Sequence, residues 1–154
     1  MDPKNANYYF QRASFRYKKL HDPDGAFSDF NKAILLKPRN TEYILSRAFH
    51  RGDAGDYPKA IADCTTILKM KPRNFFARTT RARLYQLAGE NQKALADLNF
   101  LLKFDRYNEL SILQDRAKVY RTLGNVPKAE ADERRVKFLT GDLDRRLDEI
   151  IKKP

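Results

Sequence analysis

A repeated motif constrains the fold of this chain more than any other feature. The tetrapeptide Lys-Pro-Arg-Asn occurs at 37–40 and again at 71–74, and a degraded copy stands at 105–108, each shifted by 34 residues. Arg-Ala pairs return at nearly the same interval, at 12–13, 47–48, 81–82 and 116–117. A fixed period of this length is typical of stacked supersecondary units. The sequence therefore predicts four copies of one unit, at about 6–40, 41–74, 75–108 and 109–141, in a single domain 1–154.

Each unit is predicted to contain two helices. Apolar residues recur at helical spacing in the second half of the third unit, with Ala94, Leu98 and Leu101 on one face. Glycines at 55, 89 and 124 stand where the first helices end, and prolines at 23, 58 and 127 stand where the second helices begin. Pro38 and Pro72 end the second helices in the links between units.

The pattern has departures with structural consequences. Gly52 follows Arg51 where an aromatic residue is expected, and a glycine inside a helix costs about 0.5–1 kcal/mol relative to alanine. We therefore expect the first helix of the second unit to end early or fray. One extra residue interrupts the strict period in unit one, and another falls between units three and four.

The last segment, 142–152, is predicted to be a separate capping helix. Its apolar residues fall on one stripe with charged residues elsewhere, at Leu143, Leu147, Ile150 and Ile151. The terminal unit of a repeat array needs a cover with a polar outer face, which such a helix provides. The alternative is a helix that docks on another protein.

These features resemble the tetratricopeptide repeat. The third unit carries a common variant of its pattern in Arg81, Ala82, Tyr85, Gly89, Lys93, Ala94 and Asp97. The resemblance spans residues 6–140 of the 154 in the chain. It implies an all-α fold, a right-handed α-solenoid of four helix-turn-helix units plus the C-terminal capping helix.

Every unit also pairs an arginine in its first helix with an aspartate in its second, 16 or 17 residues later. In an antiparallel helix pair such residues lie side by side, and a buried arginine needs a carboxylate partner. The predicted structural ion pairs are Arg12 with Asp29, Arg47 with Asp63, Arg81 with Asp97, and Arg116 with Asp132. The alternative is that the arginines bind a ligand.

The sequence contains no recognised catalytic pattern, so the chain is predicted not to be an enzyme and to need no cofactor. His21 and His50 stand near helix ends without a nucleophile or carboxylate in catalytic spacing. The single cysteine, Cys64, excludes an internal disulfide and a multi-cysteine metal site. It is predicted to be a small buried apolar residue. No apolar run reaches the length of a membrane span, and no secretory signal is present, which together predict an intracellular, cytoplasmic protein.

The resemblance implies a peptide-binding groove lined by the first helices. The helical period then selects the groove residues: Phe10, Gln11, Ser14, Tyr17, Leu45, Phe49, Phe76, Thr80, Arg83, Lys118 and Arg121. Aromatic side chains in the N-terminal half are suited to anchoring apolar groups of a partner. The basic side chains in the C-terminal half are suited to acidic groups. For each aromatic residue, packing between units is the alternative.

The predicted function is a non-catalytic scaffold that binds an extended or helical peptide segment of a protein partner. One tetratricopeptide subgroup, found in co-chaperones, clamps acidic chaperone tails with lysine and asparagine side chains. The corresponding positions here hold none of either, so that ligand is not predicted: Phe10 or Gln11, Ser14, Ser46, Phe76 and Thr80. The chain is also compatible with being one domain of a larger protein.

Net charge supports a second hypothesis. The chain has 31 basic and 20 acidic side chains, for a net charge of +11, which favours anionic partners. Basic residues repeat in the links between units, where they define an inter-repeat edge: Lys37, Arg39, Lys71, Arg73, Lys103 and Arg106. This edge either stabilises helix C-termini through the helix dipole or makes the chain an adaptor that associates with RNA or a ribonucleoprotein.

Overall fold

The computed structural model describes the backbone of residues 4–105 and 108–151 and the side chains as far as Gly141. Eight α-helices and one π-helical turn are found in these ranges. Their bounds are α1 Ala6–Phe15, the π-turn Arg16–Leu20, α2 Pro23–Leu36, α3 Thr41–Asp53, α4 Tyr57–Met70, α5 Phe75–Leu87, α6 Asn91–Phe104, α7 Glu109–Thr122 and α8 Val126–Ile151. The chain divides into two compact units, one ending at Ala88 and the other starting at Gly89.

The repeated Lys-Pro-Arg-Asn motif forms the link between one helix pair and the next. In both complete copies the lysine ends a second helix, and the asparagine is the N-cap of the following first helix. The side chain of Asn40 accepts hydrogen bonds from the backbone N–H groups of Glu42 and Tyr43, and that of Asn74 accepts from Ala77. Such bonds satisfy N–H groups that have no partner inside the helix.

The turn inside each helix pair needs a left-handed backbone conformation. Gly55, Gly89 and Gly124 supply it with φ angles of 80°, 74° and 72°. In the first pair the same place is held by His21, at φ 52°. The extra residue of this pair is accommodated in the π-turn Arg16–Leu20, since a π-turn contains one residue more than an α-helical turn.

The core of the first unit is built from small residues on the faces where helices meet. Ala13, Ala26, Ala48 and Ala60 are fully buried, which allows the helices to approach closely. Phe30 is the largest fully buried side chain of this unit. The core of the second unit packs α7 against α6 and α8 with Leu98, Leu101, Ile112, Val119 and Ala129 buried.

Two expectations about helix ends were wrong. The first helix of the second repeat does not fray at Gly52, because α3 continues to Asp53 and has 13 residues, as α5 does. Gly52 lies against Leu84 of α5, so the missing side chain serves a close contact. A capping helix separate from the last repeat is also not observed, because α8 runs without a break from Val126 to Ile151. Gly141 interrupts neither the turns before it nor those after it, since one glycine weakens a helix without ending it.

The apolar stripe predicted for the cap lies outside the described side chains, as does residue 152. The covering role assigned to 142–152 stays a prediction.

Candidate functional site

A pocket lies between α3 and α5 in the first unit. Its volume is about 150 Å³. Its lining consists of Phe49, Gly52, Asp53, Thr79, Thr80, Arg83, Leu84 and Leu87. Three of these side chains, Phe49, Thr80 and Arg83, were predicted from the sequence to face the groove. Gly52, Asp53 and Leu87 were not, although their place one turn further along the same helices was a usable signal.

Gly52 shapes this pocket. A Cβ atom built on Gly52 would lie 2.7 Å from Cδ2 of Leu84, far inside van der Waals contact. Leu84 itself is buried, and it packs with Ala48, Ala60 and Cys64 in the core between α3, α4 and α5. The floor of the pocket is therefore formed by the buried side chain of Leu84 on α5 and by the backbone of Gly52 on α3.

The rim of the pocket carries one charge of each sign. Neither Arg83 nor Asp53 forms a salt bridge or side-chain hydrogen bond within the part of the chain that the structure describes. Both side chains are exposed. A guanidinium group without a partner binds a carboxylate through two parallel hydrogen bonds, so the rim is able to pair with charged groups of either sign on a ligand.

Two exposed aromatic residues lie on the helices of the pocket: Phe49 is part of its lining, and Phe76 stands one turn before Thr79 on α5. Phe49 is 48% exposed and its ring meets the buried ring of His50 edge-on at 5.8 Å. Phe76 is 80% exposed at the start of α5. Both rings are therefore accessible to a partner.

The structure places two other predicted groove aromatics in packing between helices. Phe10 stacks on Tyr43 with ring centroids 4.7 Å apart and approaches the buried ring of Phe30. Tyr17 lies 4.3 Å from the ring of His50, and its hydroxyl donates to the backbone carbonyl of the same residue at 3.1 Å. These rings join α1 and its π-turn to the next helix pair, which corrects their assignment to a ligand surface.

Among the smaller predicted groove residues, some pack against neighbouring helices and others are exposed. Leu45 is half-buried against the core of α3, α4 and α5. The hydroxyl of Ser14 donates to the backbone of Phe10 within α1, and Gln11 is exposed. Gln11 therefore remains a surface position, whereas Leu45 contributes to packing.

In the second unit, the predicted anion-binding residues have partners of their own. Arg121 forms a bidentate pair with Glu133 of α8, at 2.8 and 2.7 Å. This pairing raises the pKa of Arg121 and lowers that of Glu133. Lys118 lies 3.4 Å from Asp115 on the same helix and is exposed. Of the three basic groove residues, Arg83 alone lacks a partner in the described residues.

Three of the four predicted Arg–Asp pairs are present as bidentate contacts. The guanidinium nitrogens of Arg12, Arg47 and Arg116 reach the carboxylates of Asp29, Asp63 and Asp132 at 2.5–3.0 Å. The aspartates are buried, with at most 5% of their surface exposed. The pair of Arg81 with Asp97 stays a prediction.

Three of the four repeat arginines also donate to a polar residue that the sequence analysis missed. Arg47 donates to Asn31, Arg81 to Thr65 and Arg116 to Asn99. These three acceptors stand 34 residues apart on successive second helices, so the period contained the signal. The arginines therefore connect neighbouring repeats, which supports a structural role.

The inter-repeat edge is exposed where the structure describes it. Lys37, Arg39, Lys71, Arg73 and Lys103 all have exposed side chains, while Arg106 lies outside the described residues. Residues 1–88 contain 17 of the 31 basic and 8 of the 20 acidic side chains, and therefore carry +9 of the net charge of +11.

The described parts of the chain contain no cluster of residues suited to binding a metal ion. Cys64 is buried in the core. No group of three or more histidine, cysteine, aspartate or glutamate residues suited to a metal ion occurs among the described residues. Nor do these residues include a helix with the length and apolarity required to span a membrane.

Comparison with known proteins defines the fold. No family model matches the chain, and no curated protein matches its sequence. Among solved structures, it is similar to a crystal structure of MamA, with a TM-score of 0.79 and 14% identity over 96% of this chain and 83% of that one. It is also similar to a tetratricopeptide repeat protein from Parabacteroides merdae, with a TM-score of 0.67 and 24% identity over 87% of this chain. This chain covers 52% of the Parabacteroides structure.

A third neighbour was solved with a ligand. It is the first tetratricopeptide domain of Spaghetti (RPAP3) bound to the HSP90 peptide SRMEEVD, with a TM-score of 0.69 and 17% identity over 80% of this chain and 97% of that one. Together these neighbours place the chain among helical-repeat proteins of the α-solenoid class. Its repeats have the tetratricopeptide fold, as the sequence resemblance predicted.

Proposed function

We propose that this chain is a non-catalytic scaffold that holds a peptide segment of a partner protein against the first helices of its repeats. The observation that carries the proposal is the α3–α5 pocket. This depression is open, and the exposed ring of Phe49 forms part of its lining. On its rim stands Arg83, which has no salt-bridge partner among the described residues. Concave, mostly apolar sites with a few polar groups are where proteins bind ligands.

The peptide-bound neighbour supports the class of function. Its ligand is an acidic peptide, which agrees with the positive charge of residues 1–88. The chain lacks lysine and asparagine at the positions that clamp such chaperone tails, so we expect the peptide SRMEEVD to bind weakly or not at all. The proposed site uses Phe49, Phe76 and Arg83 instead.

Peptide selection tests the proposal and does not require that the partner be identified first. A random dodecapeptide library displayed on phage is selected against the purified chain, and the enriched peptides are synthesised for affinity measurements. The double variant Phe49→Glu/Phe76→Glu is expected to lose affinity at least tenfold, since it places charge where apolar groups are anchored.

A matched control separates the site from general effects of added charge. Leu35→Glu/Phe138→Glu changes two comparably exposed apolar residues on α2 and α8, which are second helices. This control variant is expected to bind as the wild type does. Equal affinity of the Phe49/Phe76 variant and the wild type, with both folded, would remove the proposed site.

The charge distribution favours one second candidate, an adaptor that associates with RNA or a ribonucleoprotein through the inter-repeat edge. Lys37, Arg39 and Lys71 form no ion pair among the described residues, and they flank successive links. RNA binding of this kind falls steeply with salt concentration. Lys37→Glu/Lys71→Glu should abolish it, whereas Phe49→Glu/Phe76→Glu should leave it intact. An affinity for RNA that is insensitive to both salt and the lysine variant would exclude this candidate.

A further inference from the structure

We infer that the α3–α5 pocket selects one apolar side chain of leucine or phenylalanine size, in a peptide that carries a carboxylate on the Arg83 side of that residue and a cationic group on the Asp53 side. This inference rests on the proposed function and specifies its ligand. It adds a size limit and a charge order, neither of which follows from the fold.

The pocket is particular to this pair of helices. The position of Gly52, five residues after Arg47, is held by Tyr17 in the first repeat, by Gln86 in the third and by Arg121 in the fourth. The position of Leu84, three residues after Arg81, is held by His50 in the second repeat. The contact of Gly52 with Leu84 is therefore equivalent in position to the contact of Tyr17 with His50.

The two counterparts differ in what fills the space. Between α1 and α3 the ring of Tyr17 covers the ring of His50 at 4.3 Å, and its hydroxyl bonds the backbone of α3. Between α3 and α5 no side chain extends from Gly52, so Leu84 forms the floor of an open depression. A ligand side chain would occupy the volume that a residue of the protein fills in the preceding repeat.

The size of the depression limits what enters it. Its volume of about 150 Å³ matches that of an engineered apolar cavity known to hold a benzene molecule. Its apolar lining consists of the ring of Phe49 and the side chains of Leu84 and Leu87. One phenyl or isobutyl group fits this space, whereas an alanine side chain would leave most of it empty.

The rim sets the order of the flanking charges. Arg83 belongs to α5 and Asp53 to the end of α3, so the two charges belong to different walls. They do not bond to each other or to other described residues. A peptide that lies across the two helices passes Arg83 and Asp53 one after the other. Arg83 attracts an acidic group of the peptide, and Asp53 attracts a basic one.

The charge-swapped variant Asp53→Arg/Arg83→Asp tests the order directly. Both residues are exposed, so the swap preserves net charge and leaves the core untouched. Dodecapeptides selected by the wild type are expected to contain an apolar residue between an acidic and a basic one. Selection by the swapped variant should reverse the order of the two charges, and it should weaken binding of the wild-type peptides about tenfold.

The size limit is tested by Gly52→Ala, whose Cβ atom would lie 2.7 Å from Cδ2 of Leu84 and therefore changes the shape of the pocket where these two residues line it. This variant should bind the selected peptides at least tenfold more weakly, and replacing their central apolar residue by alanine should reduce that difference. Thermal unfolding confirms that the variant is folded; if it is not, the charge-swapped variant decides the inference by itself.

Failure of this inference is distinguishable from failure of the proposed function. If the wild type enriches no peptide, both are overturned. If peptides are enriched and lost in Phe49→Glu/Phe76→Glu, but show no charge order and no response to the swap, the function stands and the inference is overturned. Reversal of the charge order in the swapped variant supports both.

Discussion

Asp63 is the residue at which the proposed structural role of the repeated ion pairs is most directly tested. It accepts hydrogen bonds from Nε and Nη2 of Arg47 at 3.0 and 2.6 Å, and from Nη1 of Arg51 at 2.8 Å. Only 5% of Asp63 is exposed. The substitution Asp63→Ala therefore leaves two guanidinium groups without their shared counter-charge.

The expected loss follows from the burial of the three side chains. Removing one partner of a buried ion pair typically costs about 3–5 kcal/mol, since the other charge is left uncompensated. The side chains of Arg47 and Arg51 retain 16% exposure, so water will partly solvate them in the variant. We therefore expect a loss near the lower end, of about 3 kcal/mol.

Urea unfolding followed by far-ultraviolet circular dichroism measures this loss. Asp53→Ala is the control, because it removes an exposed aspartate that has no ion pair among the described residues; its effect should stay within about 0.5 kcal/mol. A loss below about 1 kcal/mol for Asp63→Ala would have the size of an exposed salt bridge. That result would refute the structural assignment and reopen the arginines as ligand contacts.

Three further predictions concern the repeat pattern. Arg51 holds the position at which Tyr85 and Tyr120 contact the guanidinium groups of Arg81 and Arg116 in the third and fourth repeats. The substitution Arg51→Tyr should therefore change the free energy of unfolding by less than about 1 kcal/mol in the same urea assay. His21→Gly should stabilise the protein by about 0.5 kcal/mol, because glycine adopts a positive φ without steric strain; a loss in melting temperature would contradict this. Burial lowers the pKa of His50, so the unfolded chain takes up a proton below about pH 6.5 that the folded chain resists. The melting temperature should therefore fall between about pH 7.5 and about pH 5.5, and His50→Phe should remove most of that fall.

The repeat period made the fold predictable because it marks positions that the backbone restricts. Proline, asparagine and glycine recur where a helix starts, is capped or turns, and these roles depend on local geometry alone. The same reasoning failed at Gly52, where glycine was interpreted as a helix stop, and at the boundary before residue 142, where a separate capping helix was expected. Helix ends require a change of φ or a lost backbone bond, and neither occurs inside α3 or α8.

The candidate site was less predictable because exposure depends on the neighbouring helix. Helical periodicity assigns Phe10, Tyr17 and Phe49 to the same general face of a first helix. Only the structure shows that Tyr43 packs on the ring of Phe10 and that His50 packs on the ring of Tyr17. The ring of Phe49 stays exposed. Sequence identifies which face a residue occupies, whereas the residues opposite decide whether that face is open.

Positions that depart from the repeat pattern distinguish the surface of this chain from the surface of a regular repeat array. Alanines and ion-paired aspartates recur because every helix pair must pack in the same way, and they carry no information about a ligand. Gly52 departs from the large residues at its equivalent positions, and it lines the α3–α5 pocket together with Leu84, which lies against it. A glycine inside a helix costs about 0.5–1 kcal/mol relative to alanine, and at this position it leaves room for the side chain of Leu84 of α5. The pocket that it lines also carries an arginine and an aspartate that have no ion pair among the described residues, which agrees with the general finding that local rules are broken at functional sites.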